Sequence, residues 1–348
     1  MEVDYWTASE KEEPQMRTRL LLVALAAIGV AVALTAIPAS AKVPGSNGRI
    51  LYGVVDPNLG EGAVLYTANP DGSHAQQLIP GPPQASECPN WSPDGTQIAI
   101  CGGDGTGAIV NVDDGSTHAV PNLYPNLFLP CALWTPDGQR LTCEGFGFPS
   151  NDPSLNGIYT IRVSDGGGLT RLTSNPGGDD DPGDYSPDGT QLVFERHDPT
   201  RPACPPGLFW KCPAPDSALF IVNIASGAVR QITPWGLANS PGSWSPDGTK
   251  ILFTGGASRF GDAGSLYVVH PDGSGLTRIT LTGTNSNSGV QDASWSPDGT
   301  KILLGLKSPN TGDEEVYTAN ADGSDLQQVT TNAHDVQGAD WGTHPLIK

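Results

Sequence analysis

One phrase recurs along this chain and governs what it can fold into: an aromatic residue followed by Ser/Thr-Pro-Asp-Gly. Copies begin at Trp91, Trp134, Tyr185, Trp244 and Trp295, and a degenerate sixth, Trp341-Gly342-Thr343, lies near the C-terminus. The intervals between them are 43, 51, 59, 51 and 46 residues. Most copies lead into an alternating run such as Gln97-Ile98-Ala99-Ile100 or Lys250-Ile251-Leu252-Phe253, the period-two pattern of a half-buried strand. A second phrase keeps the same rhythm: an apolar strand, an Asp-Gly turn and a further strand ending in Ile/Leu/Val-Thr. Leu65 to Ile79, Leu266 to Thr280 and Val316 to Thr330 are examples.

The turn chemistry explains the phrase. Pro presets φ at the first corner, Asp tolerates the second, and Gly takes the positive-φ position after it. The repeated Asp is therefore read as a turn residue and the repeated Trp as packing between units. Each unit supplies four short strands, and four-stranded units of this length repeated around an axis make a β-propeller. The sequence thus predicts an all-β fold, a six-bladed β-propeller of four-stranded blades. Asn47 to Tyr52 reads as a strand that should follow such a turn, but no Trp precedes it. The missing inner strand is found at Asp340-Trp341, so N- and C-terminal strands are expected to share one blade and close the ring.

Composition narrows the partners. There are 37 Asp+Glu against 18 Lys+Arg, a net charge of −19, which excludes a polyanion such as nucleic acid as a natural ligand. At the N-terminus, Arg17 and Arg19 precede the apolar run Leu20 to Ile37, which ends in Ala39-Ser40-Ala41. This predicts a signal peptide over 1–41 and a propeller over 42–348, with secretion or a periplasmic, cell-envelope location and no stable membrane insertion after cleavage. The acidic stretch before Met16 does not suit an export signal, so Met16 is a candidate start. An uncleaved anchor is the alternative, since 18 apolar residues just span a bilayer. An even set of six cysteines in an exported chain reads as disulfides. Placing Thr135 opposite Gln139 sets Cys131 against Cys143. The same offset leaves Cys88 and Cys101 one residue out of register, so that pair is expected to need a bulge. Cys204 and Cys212 are expected to staple a Pro-rich insertion.

Trp244 to Phe253 together with Leu266 to Thr280 resembles the TolB-type propeller repeat. Similar repeats occur in the propellers of prolyl oligopeptidase-like peptidases, and the TolB-like fold also resembles that of oligogalacturonate lyases. The resemblance spans nearly all of the chain after the leader and implies the fold more strongly than any activity. TolB carries a small α/β domain before its propeller. Here the first propeller strand begins within about ten residues of the expected cleavage site, so the chain is expected to lack that domain. No Gly-x-Ser-x-Gly nucleophile elbow occurs in the sequence.

The residues offer little that reads as catalysis. His74, His118, His197, His270, His334 and His344 are scattered, without the spacing of a metal-binding pair. The sharpest acidic feature is Asp179 to Asp184, which lacks the spacing of an EF-hand loop and reads as a solvated loop or a weak calcium site. Its position matters more. Glu87, Pro130, Asp181, Ser240, Gln291 and Gln337 each lie four residues before an aromatic, where inner strands enter the central channel. Glu87, Asp180, Asp181, Asp184, Gln291, Asp292, Gln337 and Asp340 are therefore the candidate binding residues of the channel mouth, and no residue is assigned a catalytic or metal-binding role. The first expectation is a monomeric, non-catalytic scaffold that binds a protein or peptide there. An extracellular polysaccharide lyase or hydrolase with a metal in the channel is one alternative, and a structural calcium-binding propeller is another.

Overall fold

The computed structural model describes residues 44–55, 63–78, 88–101, 107–197, 217–237, 240–255, 264–282, 289–307, 312–331 and 335–348. The leader, Glu87, the cysteines at 204 and 212, and His334 lie outside the described residues. Among the described residues, no helix is long and apolar enough to cross a membrane.

Six antiparallel blades follow one another around an axis. Blade one takes β1 (Ile50–Val55), β2 (Val64–Ala68) and β3 (Gln76–Gln77) from the start of the chain. Blade two is β4 (Asn90–Trp91), β5 (Gln97–Cys101), β6 (Gly107–Asn111) and β7 (Thr117–Val120). Blade three has a split inner strand, β8 (Leu127–Phe128) and β9 (Cys131–Trp134), then β10 (Arg140–Gly147), β11 (Gly157–Arg162) and β12 (Thr170–Arg171). Blade four comprises β13 (Asp180–Tyr185), β14 (Gln191–His197), β15 (Ser217–Asn223) and β16 (Val229–Gln231). Blade five is β17 (Ser243–Trp244), β18 (Ile251–Gly255), β19 (Ser265–Val269) and β20 (Thr277–Ile279). Blade six is β21 (Gly289–Trp295), β22 (Lys301–Lys307), β23 (Glu314–Asn320) and β24 (Gln327–Gln328). The last strand, β25 (Asp335–Trp341), returns to pair with β1 as the inner strand of blade one. The ring therefore closes as the sequence predicts, and blade one's inner sheet edge is covered.

The turn after each of the first five aromatics is built on its Asp. In the first copy Asp94 Oδ1 accepts from the Ser92 hydroxyl at 2.6 Å and from the Thr96 amide at 3.0 Å. Ser92 Oγ in turn accepts from the Gln97 amide at 2.9 Å. Gly95 sits at φ 72°, the left-handed region that its missing Cβ allows. The same bonds recur around Asp188, Asp247 and Asp298. Donation from Ser186 and Thr190 holds the Asp188 carboxyl below the usual carboxylate range.

This loop corrects the expected register. Thr135 pairs with Arg140, its amide donating to the Arg140 carbonyl at 2.9 Å, and not with Gln139. The loop is one residue longer than expected because the Asp and hydroxyl bonds enclose it. Trp91 accordingly stands opposite Ile98 and Trp134 opposite Leu141. The pairing Asn90↔Ala99 then carries on to Cys88 and Cys101, which are bonded with no bulge between them. The irregularity falls in the other hairpin, where Thr142 faces Leu133 and Cys143 faces Cys131, leaving Ala132 as the extra residue. Both disulfides form, with Cα separations of 5.9 Å and 4.1 Å.

The aromatics fill the seams between blades. All six, Tyr185 included, are buried. Trp134 Nε1 donates back to the Asn90 carbonyl of the preceding blade at 3.2 Å. Tyr185 Oη and Thr142 Oγ1 lie 2.8 Å apart across the next seam. Tyr185, Leu192 and Phe194 of blade four pack on Ile158 and Leu133 of blade three as one apolar cluster.

Candidate functional site

The inner strands surround a cavity of about 660 Å³ on the propeller axis. Six carboxylates line it: Glu144, Asp181, Asp184, Asp292, Glu314 and Asp340. No Lys or Arg is among its described lining residues. Enclosure by the ring lowers the effective dielectric, so carboxylates gathered here act on one another more strongly than they would in bulk water.

Three of the residues that precede an aromatic, Asp184, Ser243 and Asp340, join one blade to the next. Asp340 Oδ2 accepts from the Trp91 amide at 2.9 Å, tying the closing strand to blade two. Ser243 Oγ approaches Asp184 Oδ2 at 3.4 Å and accepts from the Trp295 amide at the same distance. Asp184 and Asp340 thus belong both to the cavity wall and to the inter-blade seams.

The acidic run before Tyr185 splits by strand alternation. Asp180 is fully buried and forms a two-bond pair with Arg196, Nε to Oδ1 and Nη2 to Oδ2, each 2.7 Å. Its carboxylate also accepts from Thr173 Oγ1 at 2.5 Å and Asn175 Nδ2 at 3.1 Å, both in the segment that leads from blade three into blade four. Asp180 therefore anchors the seam between blades three and four and does not line the cavity. Asp181 faces the other way, lines the cavity and stands opposite Glu195 across the strand pair.

A second concentration of acid lies where blade six meets blade one. Glu314 at the start of β23 lays its carboxyl over Gly305, where any Cβ would overlap it. Its amide donates to Asp335 Oδ1 at 2.6 Å. Burial, reinforced by the Asp292 and Asp335 carboxylates and opposed by Lys307, pushes the Glu314 carboxyl up to about 8. Asp292 opens to the channel but is surrounded by the ring, and that enclosure raises its carboxyl as well.

Gln291 and Gln337 stand on inner strands outside the cavity lining. The Gln291 carbonyl accepts from Thr254 Oγ1 at 3.2 Å, and Gln337 Nε2 donates to Asp335 Oδ2 at 3.3 Å. Among the sequence candidates, the cavity brings together Asp181, Asp184, Asp292 and Asp340. Glu144 and Glu314 were not anticipated, because they come from the second and third strands of their blades. A signal for Glu144 does exist. Position ten after each aromatic is Cys101, Glu144, Glu195, Thr254 and Gly305 in turn, an unusually variable position in an otherwise regular strand.

Among the described residues, no three His, Cys, Asp or Glu side chains converge as a metal-binding group. The described histidines serve the scaffold where their contacts are defined. His270 Nδ1 lies 2.9 Å from the Thr249 carbonyl, and buried His344 lies 2.8 Å from the Gly95 carbonyl while stacking on Trp91.

No protein-family model matches the chain. An uncharacterized protein, Atu1656, of Agrobacterium fabrum is 26% identical over 226 residues, covering 64% of this chain and 63% of that protein. A TolB homologue of Chlorobium luteolum is 30% identical over 161 residues, covering 45% of this chain and 30% of that protein. The chain thus spans less than two thirds of the length of either relative. The crystal structure of TolB from Acinetobacter baumannii superposes with a TM-score of 0.62 at 19% identity, over 84% of this chain and 66% of that one. Repeat, ring and relatives agree that the chain is a six-bladed β-propeller, similar in part of its sequence to a TolB homologue and in fold to TolB.

Proposed function

We propose that this propeller is a non-catalytic scaffold that binds a protein or peptide partner at the acidic mouth of its channel. The supporting observation is the cavity itself: six carboxylates and no described Lys or Arg on a rigid ring of strands. Ligands of β-rich scaffolds commonly dock where several loops and strand ends converge. A cavity of one charge sign attracts the opposite charge and speeds its encounter. The partner surface is accordingly a basic one. We place the protein outside the cytoplasm, in the envelope or secreted, a reading supported by the apolar leader and by two hairpin disulfides that suit an oxidising compartment.

The test is a pull-down from envelope extract with the purified propeller as bait, comparing wild type with Asp181→Lys/Asp292→Lys. The expected result is loss of one or more specific, identified proteins from the variant. Identical recovery by the two baits overturns the channel mouth as the site.

A further inference from the structure

The rim of blade three carries an apolar surface that the acidic cavity alone does not explain. β10 runs for eight residues, and its end pairs with β8, placing Phe146 opposite Phe128. Phe148 follows, its ring centroid 6.3 Å from that of Phe128 at an interplanar angle of 60°. Phe148 is 57% exposed, and Leu123, four residues before the start of β8, is 54% exposed. Grouped exposed apolar side chains on a soluble protein mark sites of interaction, and aromatic residues concentrate at the centres of such sites. The rim is also held in place. The Phe148 amide donates to the Asn126 carbonyl at 3.0 Å, the Leu127 amide to the Tyr124 carbonyl at 2.9 Å, and Asn122 Nδ2 to the Leu127 carbonyl at 2.7 Å. A surface ordered beforehand loses little entropy when it binds.

The chemistry of its occupant follows from what adjoins it. Glu144 lies two residues before Phe146 on β10, and strand alternation sets both on one face of the blade. Glu144 lines the acidic cavity, as does Pro130, two residues beyond Phe128. The aromatic rim and the cavity wall are therefore continuous along one strand, and the two chemistries lie about 7 Å apart, the rise of two residues. We propose that the partner is a polypeptide segment carrying a Lys or Arg and an apolar residue two positions apart in an extended chain. Its basic side chain enters the acidic cavity and its apolar side chain packs on Phe128 and Phe148. This inference rests on the channel-mouth reading and adds the aromatic contact and the composition of the ligand.

The test is fluorescence anisotropy with the purified full chain and three labelled peptides of equal length. One alternates Lys and Phe two residues apart, one has every Phe replaced by Ser, and one has every Lys replaced by Glu. The expected order is tightest binding of the Lys/Phe peptide and none of the Glu/Phe peptide. Phe148→Ser, an exposed position, should weaken the Lys/Phe peptide at least fivefold and leave the Lys/Ser peptide within twofold, with an unchanged melting temperature. Glu144→Gln should weaken both Lys peptides. If Glu144→Gln acts but Phe148→Ser does not, the aromatic contact is overturned and the channel reading stands. If neither substitution acts, or the wild type does not distinguish the three peptides, both fall. A wild type that sediments as a dimer and becomes monomeric on Phe148→Ser would instead assign the rim to self-association and overturn the proposal.

Discussion

Ile50 and Trp341 are cross-strand partners, placed opposite each other as Trp91 is to Ile98 within a single hairpin. The Trp341 indole donates to the Gly48 carbonyl at 3.0 Å, across 293 positions of the chain. On either side, the Arg49 amide donates to His344 and the Gly342 amide to Arg49. In this copy, bonds between the two ends of the chain stand in for the Pro-Asp-Gly turn. The C-terminal tail extends the join, with Ile347 and the Asn69 side chain exchanging two bonds of 3.0 Å. Trp341→Ala removes the largest fully buried side chain of this seam. A loss of about 3–5 kcal/mol is expected from the lost packing and the cavity left behind. Urea denaturation checks this, and aggregation of the variant at midpoint concentrations should accompany it, because the edge of β1 becomes available.

The Asp180–Arg196 pair gives a second expectation. Arg196 also lies over the rings of Phe194 and Phe220, at 5.3 and 5.2 Å from their centroids. Removing the carboxylate leaves a guanidinium enclosed by aromatic side chains without its counter-charge. Asp180→Ala should destabilise by about 3–5 kcal/mol, and Asp180→Ala/Arg196→Met should recover much of that loss. Thermal and urea melts of the two variants decide the matter. Equal stability of the single and double variants would deny that the pair is coupled.

Glu314 sets a pH dependence with a definite sign. Its carboxyl titrates at about 8 in the fold against 4.5 for a free glutamate. Between those values the folded protein retains a proton that the unfolded chain has released. Its contribution to stability therefore falls as pH rises through that window. Glu314→Gln should match wild type below pH 4.5 and exceed it increasingly up to pH 8, as read from urea midpoints. The same ionisation favours a bound cation, so a basic peptide should bind more tightly as pH rises across the window.

The two disulfides differ in access. Cys131 and Cys143 are 1% and 0% exposed, whereas Cys88 and Cys101 line the channel and are partly exposed. Under native conditions a small thiol should reduce Cys88–Cys101 first. Differential alkylation with peptide mass spectrometry follows the order. Removing either bond, each closing a loop of about a dozen residues, should cost about 2–4 kcal/mol.

The sequence alone determined the propeller, the number of its blades and the sharing of blade one between the two ends. Each of these follows from local turn chemistry and period-two alternation, which need no distant partner to be read. Register was less legible. The hydroxyl and carboxylate bonds inside each Pro-Asp-Gly loop lengthen it by one residue, which moved the bulge from the Cys88 hairpin to the Cys131 hairpin. The site was legible only in part. Asp179 to Asp184 is one acidic run in the sequence, but its strand turns Asp180 into the seam between blades and Asp181 into the channel. Asp292, Glu314 and Asp335 come from three strands of two blades: pairing within blade six brings Asp292 near Glu314, and closure of the ring adds Asp335. Which carboxylates meet is thus a property of the assembled ring, since electrostatic coupling depends on distance in space and not on position in the repeat.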